Sequence, residues 1–149
     1  PAGPDHAQVA ACAGMADYID ALAAHHGGAG LSAQGRAQLA HDLMRAHETA
    51  LLQPLLDYLT GRNEVRVLGP HDAAQRAPTV ALQTGRRGAD LARELAAQGI
   101  MAGGGDFYAV RALTAQGVDS DKGVLRLSFV HYTSQGEVDQ LIGALDRVL

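Results

Sequence analysis

Apolar residues recur at helical spacing through the first part of the chain. Within residues 7–26 they return about every 3.6 positions, until a pair of glycines ends the pattern. Ser32 is a suitable N-cap for a second, longer helix that continues to Leu59. Because Pro54 cannot donate a backbone hydrogen bond inside that helix, we expect it to kink or split the helix one turn earlier.

From residue 64 onward the spacing changes to that of short strands separated by helices. Ser134 and Glu137 form a capping box at the start of the last helix. The order predicts an α+β fold: a small, mostly antiparallel sheet of three or four strands, covered by helices on one face and preceded by a long N-terminal helix. The predicted elements are strands at 65–68 and 79–83, a helix at 88–98, a strand at 100–102, a helix at 107–116, a strand at 124–132 and a helix at 135–148.

The predicted strand at 124–132 carries one arginine among apolar residues. Alternation places Arg126 and Ser128 on one face of the strand, and Leu127 and His131 on the other, where His131 is interpreted as structural. A guanidinium buried in such a strand requires an anion, and its planar fork suits a carboxylate, so a bound carboxylate is the functional interpretation. The alternative is an arginine that faces solvent or pairs with a surface acid.

A second candidate feature is a run of three glycines followed by Asp-Phe-Tyr. Glycines allow backbone amides to approach a ligand closely, but they also make a flexible turn, and a phosphate cradle requires a helix N-terminus directly after them. The run completes no nucleotide-binding motif. We therefore predict only that this loop borders a site. Its residues are Gly103, Gly104, Gly105, Asp106, Phe107 and Tyr108.

Composition narrows the class of protein. The chain has 149 residues, enough for about one domain, and 47% of them are hydrophobic, which excludes a disordered chain. A net charge of −4 argues against nucleic acid as a partner. No apolar run approaches the ~20 residues of a membrane span, and the amino terminus does not resemble a secretory signal. The single cysteine, Cys12, excludes an internal disulfide, so we expect a cytoplasmic protein with Cys12 buried in a helix face.

The remaining polar residues assemble no further site in the sequence. Of the seven histidines, His41 and His47 lie six residues apart rather than at the i,i+3 or i,i+4 spacing that helical metal ligands need, so we predict no metal site. No nucleophile, acid and base stand at the spacing of a catalytic set, so we predict no catalytic residue in this chain. Lys122 is the only lysine, and it lies in a polar Asp-Ser-Asp-Lys-Gly turn.

The final third of the chain resembles the carboxyl-terminal segment of class V aminotransferases and cysteine desulfurases, which are fold-type I pyridoxal-phosphate (PLP) enzymes. In that family an arginine-bearing strand leads through a turn into Glu-Glu-Val-Asp at the start of an amphipathic helix. Here the strand is Leu-Arg-Leu-Ser-Phe-Val-His-Tyr at 125–132, and the helix opens with Glu-Val-Asp at 137–139. The segment at 99–109 is similar to the family's glycine-containing turn, and the first helix is similar to its linker helix.

The resemblance implies that the chain is the small domain of a larger PLP-dependent transferase or lyase that acts on an amino acid. Residues 1–30 would be the linker helix from a missing large domain, and residues 31–149 the small domain. Arg126 would bind the substrate carboxylate, and the glycine loop would border the site. Lys122 has no neighbour that matches the family's lysine motif, so the PLP-binding lysine would lie in the large domain. We therefore expect no cofactor on this fragment and no activity from it alone.

Three further expectations accompany the resemblance. Alignment places Tyr108 where cysteine desulfurases carry their nucleophilic cysteine, and a phenol cannot replace a thiolate there, so the chain is closer to the desulfurase-like branch. The apolar residues of the first helix, Val9, Met15 and Ile19, would self-associate into a homo-oligomer. The alternative function is a free-standing α+β binding or interaction module without catalysis, which the absence of a catalytic lysine favours.

Overall fold

The structure is a computed structural model that describes Gly3 and residues 5–149. It divides into two compact units, Pro1–Ala46 and His47–Leu149. Residues 1, 2 and 4, at the start of the predicted linker segment, lie outside the described residues. The helices are α1 (His6–His25), α2 (Ala33–Thr60), α3 (Gly88–Ala96), α4 (Val110–Ala115) and α5 (Gln135–Val148), with a short 3-10 turn at Ala73–Gln75; the strands are β1 (Arg66–Leu68), β2 (Thr79–Gln83), β3 (Gly103–Gly105) and β4 (Val124–Ser128).

In the first unit, polar side chains stabilise the ends of both helices. Asp5 caps α1 by accepting hydrogen bonds from two backbone N–H groups of its first turn. Ser32 Oγ accepts a hydrogen bond from Gly35 N at 3.2 Å, as expected for the cap of α2. Arg36 binds Asp20 through two hydrogen bonds of 2.7 and 2.9 Å, which link α2 to α1 and hold the pKa of the Asp20 carboxyl below its ordinary value. Across the described residues, no helix is both long and apolar enough to cross a membrane.

The second helix is not split at its proline, so the split that the sequence offers as one of two outcomes is wrong. It continues through Pro54 to Thr60 as a single helix. The proline leaves one carbonyl without its helical donor, but the leucines on both sides of it are buried against the sheet, so tertiary packing outweighs the loss of one bond. These leucines are Leu51, Leu52, Leu55, Leu56 and Leu59.

The four strands form one antiparallel sheet in the order β1-β2-β4-β3. Ala81 of β2 and Gly103 of β3 both lie opposite Arg126, in the middle of β4. The two faces of β4 alternate as predicted, because Leu125 and Leu127 are buried and Arg126 is exposed. The α+β class and the small antiparallel sheet are therefore confirmed.

Helices cover the two faces of the sheet unequally. α2, α3 and α5 pack on one face around the main core, in which Val80, Leu82 and Leu125 are fully buried. On the other face the short α4 brings Leu113 against Val124 in a smaller cluster. Helices therefore lie on both faces rather than on one, and the second face is covered only in part.

The strand that contains Arg126 is shorter than predicted. The sequence predicts a strand over 124–132, but β4 ends at Ser128. Phe129 N still donates to Pro78 O at 2.8 Å, but proline has no N–H to return a hydrogen bond, so the ladder stops there. His131 therefore lies beyond the strand, and the alternation used to assign its face does not apply to it.

The third strand lies later in the chain than predicted. The apolar segment at 100–102 was expected to pair, but Met101 is 98% exposed and the glycines of 103–105 pair instead. Strand pairing uses backbone groups alone, so glycines can form a strand. Because residues 103–105 have no side chains, this strand also approaches α3 more closely than residues with a Cβ could. A hydrophobicity pattern cannot detect such a strand, since glycine carries no side chain to count.

Glycines allow three backbone segments to touch where side chains would not fit. A Cβ on Gly104 would overlap the carbonyl of Gly88 at the start of α3, and a Cβ on Gly88 would overlap the carbonyl of Val124. A Cβ on Gly123 would lie 2.5 Å from Gly105. This glycine contact holds β3 against α3, and it therefore determines where the loop after β3 begins.

Replacing Gly104 by alanine tests the glycine contact. The added Cβ has no space against the carbonyl of Gly88, so we expect the free energy of unfolding to fall by about 1–3 kcal/mol. Gly136→Ala is the matched control, because a Cβ there meets nothing within 4 Å. Urea unfolding followed by circular dichroism measures both variants, and equal stabilities would contradict the contact.

The capping box of α5 makes stability depend on pH in a defined direction. The Glu137 carboxylate accepts a hydrogen bond from Ser134 N at 2.7 Å, which lowers the pKa of the Glu137 carboxyl. The stabilisation is present above the ordinary glutamate pKa of about 4.3 and is lost as the pH falls through the lowered value. We expect Glu137→Gln to be less stable than the wild type at pH 7, and urea unfolding to show this difference shrinking below about pH 4. A difference that stays constant with pH would contradict the assignment.

Candidate functional site

Arg126 lies on the exposed face of the sheet, in the middle of β4. The guanidinium is not buried, whereas the functional interpretation of the sequence expects a buried one; Arg126 faces solvent, as in the alternative interpretation, because strand alternation directs its side chain to the face that α4 covers only in part. Its neighbours on the adjacent strands are Ala81 and Gly103. Both are small, so no bulky side chain of β2 or β3 stands directly beside the arginine.

The aromatic ring of Phe107 packs on the guanidinium of Arg126. The guanidinium Cζ lies 4.0 Å from the ring centroid, well inside the ≈ 6 Å range of a cation–π contact. Gly103 makes this ring position possible, because a Cβ there would lie 2.9 Å from ring atoms Cε1 and Cζ of Phe107 and 3.9 Å from Arg126 Nη2. We refer to Gly103, Phe107 and Arg126 as the arginine cluster.

Two consecutive residues in the left-handed region shape the loop that holds the ring. Phe107 has φ 52° and Tyr108 has φ 57°, a conformation that costs roughly 1–2 kcal/mol for each residue other than glycine. Asp106 supports the turn, since its Oδ1 accepts from Tyr108 N at 3.1 Å and its carbonyl accepts from Ala109 N at 2.8 Å. This turn displaces the first residues of the predicted helix, which is why α4 begins later than expected.

No carboxylate of the described residues lies within ion-pair distance of Arg126. Arg76, in contrast to Arg126, is held by backbone groups, since its guanidinium donates to the carbonyls of Pro70 and Thr79. Its partial burial lowers its pKa. Arg126 therefore presents its N–H groups on the exposed face, where an external anion can reach them. Other arginines of the described part of the chain do form ion pairs, among them Arg36, Arg62, Arg86 and Arg93.

The other loop residues surround the arginine cluster but make different contacts. Gly104 belongs to the glycine contact with α3, Gly105 pairs with Val124, and Asp106 supports the turn. Tyr108 is fully exposed. Their place beside a substrate stays a prediction. Phe107 has no separate role in the sequence-based prediction, although an aromatic residue two positions after a glycine run, in a chain with two phenylalanines, is a signal for one.

Three residues considered for other chemistry belong neither to the arginine cluster nor to the loop at 103–108. Lys122 sits in an exposed turn, with its Nζ 3.5 Å from the carbonyl oxygen of Gly85. The sequence predicts a buried Cys12, but Cys12 is exposed. The buried residue of α1 is Ala23. His131 is half-buried, and its ring makes an edge contact with Tyr132 at 5.2 Å between centroids. Within Gly3 and residues 5–149, no group of three or more His, Cys, Asp or Glu side chains is placed to hold a metal ion.

A groove of about 220 Å³ lies beyond the carboxyl end of β4. Its lining includes Met101, Ser128 and Glu137, and the Glu137 carboxylate is already engaged in the capping box of α5. Arg126 is not among the lining residues. The arginine cluster therefore stands on an exposed sheet surface, separate from this groove.

The family profile described as aminotransferase class-V matches residues 23–141. The chain belongs to this family. This match confirms the family that the strand and helix at 125–139 resemble. Class V aminotransferases are PLP-dependent enzymes. Two curated relatives are each 34% identical to the chain: the aminotransferase-like protein FGM3 of Gibberella zeae over 113 residues, and a probable cysteine desulfurase of Pseudomonas putida over 122 residues.

These alignments cover most of this chain but a minor part of each relative. They include 72% and 82% of the chain, and 28% and 29% of the two relatives, so the chain spans less than a third of their length. The family fold recurs in solved structures. The apo cysteine desulfurase of Thermococcus onnurineus superposes with a TM-score of 0.64 at 24% identity, covering 77% of this chain and 30% of that one. The cysteine desulfurase CsdA of Escherichia coli gives 0.61 at 26% identity, covering 78% and 29%.

The left-handed turn predicts that glycine at position 108 stabilises the protein. Tyr108 is fully exposed, so its removal costs no burial, and glycine adopts a positive φ without the Cβ penalty. We expect Tyr108→Gly to raise the free energy of unfolding by up to about 1 kcal/mol. Met101→Gly is the control, because Met101 is equally exposed but has no positive φ, and it should lose stability. Urea unfolding compares the two, and a similar loss in both would contradict the strain.

Proposed function

We propose that this chain is the carboxyl-terminal portion of a PLP-dependent enzyme acting on an amino acid, and that Arg126 binds the α-carboxylate of that substrate. In this proposal residues 1–30 link a large domain to the small domain formed by residues 31–149. The loop from Gly103 to Tyr108 borders the bound substrate. The partners of the chain are then the amino acid, the large domain and a second copy of the whole protein.

The exposed guanidinium of Arg126 is the observation that carries this proposal. It meets no carboxylate of the described residues, and it lies on a strand whose neighbours at that position, Ala81 and Gly103, are small. A guanidinium offers two parallel N–H groups that match the two oxygens of a carboxylate. An amino-acid carboxylate is therefore a ligand that fits both its charge and its shape.

Binding of the carboxylate by Arg126 orients the substrate. Two N–H···O bonds define the position and the plane of the carboxylate, so the bonds at the neighbouring Cα are held in one direction. PLP, when bound, supplies the electron sink for the chemistry at that carbon. The only lysine, Lys122, lies in an exposed turn with its Nζ near the carbonyl oxygen of Gly85. We therefore assign the PLP-binding lysine to polypeptide outside this chain.

The loop also limits the kind of reaction that we propose. Tyr108 occupies the place predicted for a desulfurase cysteine, and Cys12, the only cysteine, lies on α1 in the first unit. Sulfur transfer requires a thiolate nucleophile. We therefore propose a desulfurase-like transferase or lyase that does not transfer sulfur through this loop.

A free-standing α+β binding module remains the second candidate. It would use the same exposed face of β4. The family match over residues 23–141, and 34% identity to two relatives of which the chain spans less than a third, both favour the enzyme.

Substitution of Arg126 in the full-length, PLP-loaded protein tests the proposal. Each L-amino acid is compared with the corresponding amine that lacks the carboxylate. We expect Arg126→Ala to lower kcat/KM for the preferred amino acid by about 100-fold or more, mainly through KM, because two charge-assisted hydrogen bonds are lost. Activity on the amine should not change.

Arg66→Ala is the matched control for Arg126→Ala. Arg66 is also an exposed strand arginine, and it donates to Gln83 Oε1 at 3.1 Å rather than to a carboxylate. We expect its KM to equal that of the wild type. An unchanged KM in Arg126→Ala would sink the proposed carboxylate role.

A further inference from the structure

We propose that Phe107 is a positioning residue for Arg126, whose ring holds the guanidinium so that its edge faces the substrate carboxylate. This inference rests on the proposed function, because it assumes that Arg126 binds that carboxylate. It adds a specific aromatic contact to the arginine and explains why the loop after β3 adopts a strained conformation.

The geometry of the contact determines which part of the guanidinium stays open. With Cζ of Arg126 4.0 Å from the ring centroid, the ring of Phe107 covers one side of the guanidinium. The five N–H groups of a guanidinium lie in its plane, so a ring that stacks on the guanidinium face, the arrangement typical of arginine on an aromatic side chain, leaves them unobstructed. The ring also restricts a long side chain that would otherwise sample many rotamers on an exposed sheet surface.

The ring itself is held in place by the fold. On one side Phe107 is half-buried against the small cluster that contains Leu113 and Val124. On the other side it packs where Gly103 has no Cβ. The positive φ of Phe107 and Tyr108 brings the ring to this position at a conformational cost. The positive φ of the loop residues and the absence of a Cβ at Gly103 together place the ring of Phe107 against Arg126.

A second cation–π pair, between Arg62 and Tyr58, differs from the arginine cluster in having carboxylate partners. Arg62 lies 5.4 Å from the ring centroid of Tyr58, but it also donates to carboxylate oxygens of Glu64 and Asp146 at 2.6 and 2.7 Å. Arg62 is therefore held by anions within the protein. Arg126 has the ring but meets no carboxylate of the described residues, which leaves the anion to be supplied from outside.

Nuclear magnetic resonance of the 149-residue chain tests the positioning without requiring activity. The ring should shift the Arg126 Hε resonance upfield and keep the order parameter of its Nε–Hε bond above the value of about 0.6 that marks flexible groups. Phe107→Leu should abolish both effects. Gly103→Ala should do the same by an independent route, since its Cβ displaces the ring. Phe129→Leu and Gly136→Ala are the matched controls and should leave the Arg126 signal unchanged.

Kinetics of the full-length, PLP-loaded protein test the consequence for binding. Phe107→Leu should raise KM for the amino acid about two- to fivefold, the change expected for an exposed cation–π contact, with kcat unchanged. Phe107→Tyr should restore the wild-type KM, because it restores an aromatic face. In an Arg126→Ala background, Phe107→Leu should have no further effect on KM, since a residue that acts through Arg126 has nothing left to position.

The outcomes separate this inference from the proposed function. If Arg126→Ala raises KM but Phe107→Leu changes neither KM nor the Arg126 resonance, the positioning role is wrong and the carboxylate role stands. If Phe107→Leu raises KM equally in the presence and absence of Arg126, its role is structural and the inference is overturned. If Arg126→Ala leaves KM unchanged, the proposed function and the inference that rests on it both fail.

Discussion

The backbone contact between β3 and the start of α3 is the constraint on which the candidate site depends. Gly104 and Gly88 touch through backbone atoms, and Gly123 approaches Gly105 in the same way. A side chain at any of these positions would push β3 away from the helix. Because β3 also pairs with β4, this contact determines the place of the loop that carries Phe107 relative to Arg126.

The arginines of the chain differ in whether groups of the protein itself engage their donors. Arg36 and Arg62 are held by carboxylates, and Arg76 by backbone carbonyls, so their donors are engaged within the protein. The guanidinium of Arg126 lies over the ring of Phe107, 4.0 Å from its centroid, and meets no carboxylate of the described residues. Unfavourable backbone geometry occurs next to it, at Phe107 and Tyr108, and strain of this kind concentrates at functional sites.

The family match and the fold together define what the chain contributes to an enzyme. The sheet, its buried leucines and its capped final helix form a scaffold that solved cysteine desulfurases share. A shared scaffold does not specify a reaction, because chemistry resides in the side chains placed on it. In the loop after β3 those side chains include Phe107 and Tyr108 but no cysteine.

The sequence by itself determined the helices, the α+β class, the family and the fact that Arg126 and Ser128 share one face of β4, because each depends on local periodicity or on a contiguous motif. Tertiary structure alone decided four features: the unbroken helix at Pro54, the pairing of glycines 103–105, the end of β4 at Ser128 and the ring beneath Arg126. Each of these depends on contacts between segments distant in the chain. Backbone pairing and close approach leave no trace in hydrophobicity, so no pattern along the chain could reveal them.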